Sequence, residues 1–150
     1  MKKFVFVVLI LALFVQPASA KKVQTLKTDA NKMTWYLIDY GVDYGTPYAV
    51  ARKYYTNPSI KQETIEQLES RYGLSRYTAS TLYFTEYGWE YSQDGKQVTT
   101  TYMVHYDFSG HELYRIDYDD SYESRRRFYS NVTPNTPQSR GYAYAVGKLY

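Results

Sequence analysis

The sequence predicts an α+β domain: an antiparallel β-meander sheet with a helix near the middle of the chain and a C-terminal helix packed on the sheet. Three observations predict it. Residues 81–119 alternate apolar and polar side chains and are punctuated by Asp94-Gly95 and Ser109-Gly110, the pattern of strands joined by short hairpin turns. Residues 58–72 place Ile65, Leu68 and Tyr72 at i, i+3 and i+7, which is one face of a helix. Residues 139–150 return to the helical period with Tyr142, Ala145, Val146 and Leu149.

Lys2 and Lys3 precede an apolar run from Phe4 to Val15, which Gln16-Pro17 breaks before Ala18-Ser19-Ala20. A positive start, a short apolar core and small residues before a cut are the parts of a secretory signal peptide. Residues 1–20 are therefore expected to leave as a cleavable signal. The run is shorter than the about 20 apolar residues that span a bilayer core. No cysteine stands at the cut to take a lipid anchor. The product is expected to be exported, either to the periplasm or secreted to the cell surface or medium, with no stable membrane insertion.

Residues 21–33 are polar and carry Lys21, Lys22, Lys27 and Lys32, which reads as a flexible lead-in. Residues 34–150 then form a single domain. Thr34 to Tyr40 is a β-type run closed by Gly41, and residues 41–47 are turn-rich. Tyr48 to Tyr55 fits either a short strand or a helical turn. Asn57 can cap a helix, Pro58 suits its first turn and Gly73 stops it. Thr81 to Tyr91 is a strand, with Gly88 marking a bulge. Gln97 to Phe108 is the next, and its alternation puts Val98, Thr100, Tyr102, Val104, Tyr106 and Phe108 on the core face. His105 and Asp107 then fall on the other face. Glu112 to Asp119 is a third strand, and residues 121–130 continue as a fourth. Ser139 can cap the last helix, which runs to Tyr150.

All 20 tyrosines lie beyond residue 20, and there is no cysteine. Without disulfides the domain must be held by its core alone. The same absence removes thiol catalysis, thiolate zinc sites and iron–sulfur clusters. Loss of Lys2 and Lys3 lowers the 18 cationic residues to 16 against 15 anionic ones. A nearly neutral chain lacks the basic excess of nucleic-acid-binding domains. Tyrosine tolerates water at its hydroxyl and packs at its ring. Two readings of its abundance stand: a thin sheet wet on both faces, or a contact surface for sugars and proteins.

The order of motifs resembles a known family. Trp35-Tyr36-Leu37-Ile38 opens the domain. Tyr54-Tyr55-Thr56-Asn57-Pro58-Ser59-Ile60-Lys61 follows, in the pattern Tyr-Tyr-x-x-x-Ser-Ile-Lys. A meander with an Asp-Gly hairpin comes next. The chain ends on Val132-Thr133-Pro134-Asn135-Thr136 and the aromatic stretch from Gly141 to Tyr150. Over residues 34–150 this resembles the surface-adhesin protein E family of small exported bacterial domains. The resemblance implies an antiparallel sheet with a C-terminal helix, a role at the cell surface and no catalytic residues. It also implies that Ser59-Ile60-Lys61 begins a strand, with the helix starting nearer Gln62.

Catalytic and metal chemistry find little to work with. His105 and His111 flank the Ser109-Gly110 turn beside Asp107 and Glu112, donor types that a metal site would use. Polar residues on the outer face of a strand need no such explanation. No Gly-x-Ser-x-Gly elbow and no glycine-rich phosphate loop occurs. Glu86, Glu90, Asp117, Asp119 and Asp120 show no distinctive pairing for glycoside hydrolysis. No catalytic residue, metal or cofactor is expected.

The binding candidates are Arg125, Arg126 and Arg127 with the flanking Tyr122 and Tyr129, and Tyr87 with Trp89 on the first meander strand. Guanidinium beside aromatic rings suits glycans and peptides. Charge along a strand also serves to discourage edge-to-edge pairing, and the strand aromatics also suit a core under the C-terminal helix. The expected function is a non-catalytic, adhesin-like binding domain at the bacterial envelope, with a host or envelope protein or glycan as partner and no nucleic acid. Two alternatives stand beside it. One is a structural envelope domain that self-associates through a sheet edge. The other is a small hydrolase or metal-dependent enzyme, which needs a histidine in a pocket with a carboxylate in reach.

Overall fold

The structure, a computed structural model, describes residues 23–26, 29–119 and 125–148. The signal reading of residues 1–20 lies outside them. The domain is α+β and mostly antiparallel. Strands β1 (Gln24–Leu26), β2 (Thr34–Asp43) and β3 (Thr46–Tyr54) lead into helices α1 (Pro58–Tyr72) and α2 (Arg76–Ala79). Strands β4 (Leu82–Tyr91), β5 (Gln97–Asp107) and β6 (Glu112–Asp119) follow. The short β7 (Arg125–Arg126) and β8 (Tyr129–Asn131) precede helix α3 (Pro137–Ala145). The sheet order is β1 to β7 in sequence, with β8 also paired to β5. No helix among the described residues is long and apolar enough to cross a membrane.

Local chemistry sets the helix ends. The Asn57 side chain accepts from the Ser59 amide at 3.1 Å, Pro58 fills the first turn, and Gly73 closes α1 at φ 71°. Ser59, Ile60 and Lys61 thus form the first turn of α1, not the start of a strand. Helix α3 begins earlier than Ser139. Thr136 is its cap, Pro137 occupies the first turn, and Ser139 returns a hydroxyl bond to the Thr136 backbone in a capping box. The helix ends at Ala145, so the Tyr142 and Ala145 stripe survives while its extension to Tyr150 does not.

Residues 24–26, inside the stretch read as a polar lead-in, pair with β2 from Leu26↔Trp35 to Gln24↔Leu37. Leu26 and Met33 are buried. Asp29 accepts from the Trp35 indole at 2.8 Å, so one carboxylate anchors this segment to the core. Strand β2 does not stop at Gly41. It runs to Asp43 and turns through Tyr44 and Gly45, both at positive φ, the twist-matched geometry of a two-residue hairpin.

Both long helices lie on one face of the sheet. Ala49 and Ala51 are fully buried there. These small residues let α3 come close: a Cβ on Gly141 would stand 3.1 Å from Ala49 Cβ. The same face carries Trp35, Leu37, Tyr87, Trp89 and Tyr91. Leu68 and Ile65 seat α1 beside Leu82 and Ala79, and Tyr72 stacks on Tyr114 at 4.2 Å.

The expected core face of β5 fails beyond its middle, where Val104 alone of the expected residues is buried. Trp89 pairs with Thr100 but Gly88 pairs with Tyr102, so Thr101 is an extra residue. A bulge resets the two-residue period. Beyond it Met103 and His105 face the helices, opposite Tyr87 and Thr85, while Tyr102 and Tyr106 face away. His105 is 4 % exposed and Phe108 is 76 % exposed, the reverse of the expectation.

Candidate functional site

Two places on this fold gather functional side chains, one on each face of the sheet. The face away from the helices carries a row of rings. Tyr36 on β2 meets Tyr54 on β3 at 5.3 Å, Tyr54 stacks on Phe84 of β4 at 5.2 Å, and Phe84 stacks on Tyr106 of β5 at 4.8 Å. Cross-strand aromatic pairs stabilise a sheet, and four strands are stapled here. Phe84 is buried within the row, whereas Tyr83, next to Tyr54, is 48 % exposed.

A charged line runs beside the rings. Arg52 Nε donates to Glu86 Oε2 at 2.8 Å, and the Tyr102 hydroxyl donates to Glu86 Oε1 at 3.0 Å. The Arg52 guanidinium lies 4.8 Å from the centre of Phe84. Partial desolvation pulls Arg52 down, but the Glu86 carboxylate outweighs it and holds the guanidinium above its ordinary value. Desolvation and the Glu86 charge both push the Tyr102 phenol up, so it remains a donor. At the β1–β3 end of this face a groove of about 510 Å³ is bounded by Val23, Tyr36, Ile38, Arg52, Tyr54 and Tyr83.

The helix-covered face holds the second place. Tyr55 Oη lies 2.7 Å from Thr85 Oγ1, which lies 2.8 Å from His105 Nδ1. Lys53 Nζ sits 5.3 Å from the ring centres of Tyr55 and Tyr87 and 5.7 Å from that of Trp35. These groups border a cavity of about 100 Å³ between α1 and the sheet. Burial, with a smaller contribution from Lys53, depresses the His105 imidazole to about 4. His105 is therefore neutral at physiological pH.

The residues expected to bind are divided between locations. Arg125 and Arg126 form β7, parallel to Tyr118 and Asp119. Arg127 donates to the Tyr118 carbonyl at 3.1 Å and to Glu90 at 3.2 Å. That arginine ties the returning chain to β4 and β6. Tyr129 is 53 % exposed on β8, and Tyr122 lies outside the described residues. Tyr87 and Trp89 face the helices and pack with Trp35 at 5.3 and 5.5 Å. Trp89 is 2 % exposed and belongs to the core.

His105 and His111 do not form one site. His111 Nδ1 approaches Asp107 at 3.4 Å on an exposed turn, where Asp107 also accepts the Ser109 and His111 amides. The pair closes a turn. Among the described residues no group of three or more histidines and carboxylates stands together to hold a metal.

Composition missed Tyr36, Tyr54, Arg52, Glu86 and Tyr102 on the open face, and Lys53, Tyr55 and Thr85 on the covered one. The signal for each set is cross-strand register, which a single strand does not carry. No protein-family model, curated protein or solved structure matches the chain.

Proposed function

We propose that this chain is a non-catalytic binding domain acting outside the cytoplasm, and that it engages an envelope or host protein or glycan through the open sheet face. One observation carries the reading. The ring row from Tyr36 to Tyr106 continues into a groove of about 510 Å³ that has Arg52 and the exposed Tyr83 at its wall. Rings alone would serve to staple strands. A groove with rings and a guanidinium presents stacking faces and directed donors together, the combination that glycan and protein contacts use. The signal-like residues 1–20 support export, and the resemblance to the surface-adhesin protein E family supports a place at the cell surface.

In this reading the binding centre is Tyr36, Arg52, Tyr54 and Tyr83. Arg127 acts mainly as a clasp on Glu90, and Arg125, Arg126 and Tyr129 belong to β7 and β8, outside this centre. The test is retention of the purified domain on immobilised extracellular-matrix proteins, envelope proteins and glycans. Three forms are compared: the parent, a Tyr54→Ser/Tyr83→Ser variant, and a variant with Arg125, Arg126 and Arg127 changed to Ser. The parent is expected to be retained on one class. The tyrosine variant should lose at least about tenfold in affinity, the scale of a binding hot spot. Equal retention of the parent and the tyrosine variant on every surface would remove the open face from the proposal. Mass spectrometry of the exported protein checks the signal, with Lys21 as the expected first residue.

A further inference from the structure

The cavity under α1 is not used by the reading above, and its chemistry is one-sided. Its border includes Lys53, Thr64, Gln67 and His105, but no aspartate or glutamate among the described residues. Lys53 has no carboxylate partner among the described residues. Rings offset part of the cost of withdrawing an ammonium from water. They supply no hydrogen-bond acceptor comparable to an anion.

The buried hydroxyl chain can supply a second donor. Tyr55 Oη is bonded to Thr85 Oγ1, with the Thr64 hydroxyl also beside it. If Tyr55 donates to Thr85, and Thr85 donates to His105 Nδ1, every hydroxyl proton is used and a neutral His105 carries its proton on Nε2. The opposite direction also closes, with Tyr55 donating to Thr64 or into the cavity. An anion in the cavity selects the first direction, because it needs a donor from Nε2. That nitrogen makes no hydrogen bond to a described residue, and the ring borders the cavity.

We propose that this cavity binds a small oxyanion, a carboxylate or phosphate-type group, between the Lys53 ammonium and the Nε2–H of His105. The size suits it. About 100 Å³ is room for roughly three waters at about 30 Å³ each, or for one small oxyanion in their place. The proposal does not depend on the open face, so either can fail alone.

The test uses the purified protein and two probes, sodium phosphate and sodium acetate, added at constant ionic strength with chloride as the balancing salt. The His105 imidazole signals are followed by NMR at pH 6.5. Saturable shifts with one or both probes are expected, and the stronger probe identifies the favoured anion class. Lys53→Met should weaken binding by about tenfold or more, as loss of a charge-assisted bond does. Lys53→Arg should retain it, and Lys96→Met, an exposed lysine change, should leave it unaltered. Binding must also raise the proton affinity of His105, because the coupling is reciprocal. Its titration midpoint should move upward in saturating phosphate or acetate. Linear, non-saturating shifts in the parent protein would mean a water-filled cavity and overturn the proposal, whether or not Lys53→Met folds. Saturable binding that Lys53→Met leaves intact would overturn it as well.

Discussion

Acid should destabilise this domain earlier than its carboxylates require, and His105 should be the cause. The imidazole is 4 % exposed, and burial depresses it from an ordinary 6.5 to about 4. The unfolded chain therefore takes up a proton near pH 6.5 that the folded chain refuses until about pH 4. Between those values the unfolded state binds more protons, so stability falls as pH falls. Above pH 6.5 the effect is absent, and below pH 4 it is complete. Two and a half pH units at about 1.4 kcal/mol each give about 3 kcal/mol at the limit. Between pH 7 and pH 4.5 the loss is about 2 kcal/mol. Lys53 is the cation bordering the same cavity, and Tyr55, Tyr72 and Tyr87 are its other titratable neighbours. Burial holds the Tyr55 and Tyr87 phenols above their ordinary value, so neither titrates in this range. The assay is urea denaturation at pH 7 and pH 4.5 in chloride buffer, with His111→Gln as the background so that His105 is the one histidine left. His105→Gln in that background removes the imidazole and leaves carboxylate titration in place. The background protein should lose about 2 kcal/mol more than the double variant over this interval. Equal losses would show that His105 titrates alike in both states, and the buried hydroxyl chain would be wrong.

Other substitutions test the packing. Leu68→Ala should cost about 2–5 kcal/mol in the same denaturation assay, since Leu68 is fully buried where α1 meets β4 and α2. Gly141→Ala separates propensity from packing by its sign. Helix propensity favours alanine by about 1 kcal/mol, but the new Cβ would stand 2.7 Å from the Tyr91 hydroxyl and 3.1 Å from Ala49. Overpacking costs about 1–3 kcal/mol, so net destabilisation is expected, and a raised melting temperature would refute the close approach of α3. Arg127→Ala should lower stability by about 1–2 kcal/mol through its bonds to Glu90 and the Tyr118 carbonyl. Its effect on ligand retention should be smaller than that of Tyr54→Ser.

Legibility followed how local each determinant is. Asn57, Pro58 and Gly73 mark both ends of α1 because a cap, a fixed φ and a left-handed residue act within one turn. Asp94-Gly95 marks the β4–β5 hairpin for the same reason, with Gly95 at φ 72°. The stretch from Tyr48 to Tyr55 was ambiguous because Ala49 and Ala51 weaken its alternation. Pairing with β2 on one side and β4 on the other decides it. Among the described residues, the expected strand over residues 121–130 appears only as β7 and β8. The chain leaves the β5 edge at Asp117 and regains it at Tyr129, a detour that no local period encodes.

The candidate sites were less legible than the strands, and Thr101 shows why. Its bulge inverts the facing of everything that follows on β5. A reading that keeps strict alternation sends His105 to solvent and Tyr102 to the core. In the structure Tyr102 donates to Glu86 on the open face, while His105 is bonded to Thr85 beneath α1. The glycine opposite the bulge was visible as Gly88. A Cβ there would overlap the Tyr102 ring and stand 2.7 Å from Thr101 Oγ1. Gly88 thus makes room for the inverted residue, and the inversion brings His105 to the cavity that Lys53 borders. Tyrosine abundance gives no warning of this, since rings lie on both faces: Tyr87 and Tyr91 under the helices, Tyr54 and Tyr106 on the open side. Residue size is the better guide. Ala49, Ala51 and Gly141 mark where a helix comes close, and from that side the half-buried Lys53 and the buried Thr85 and His105 stand out beneath the helices.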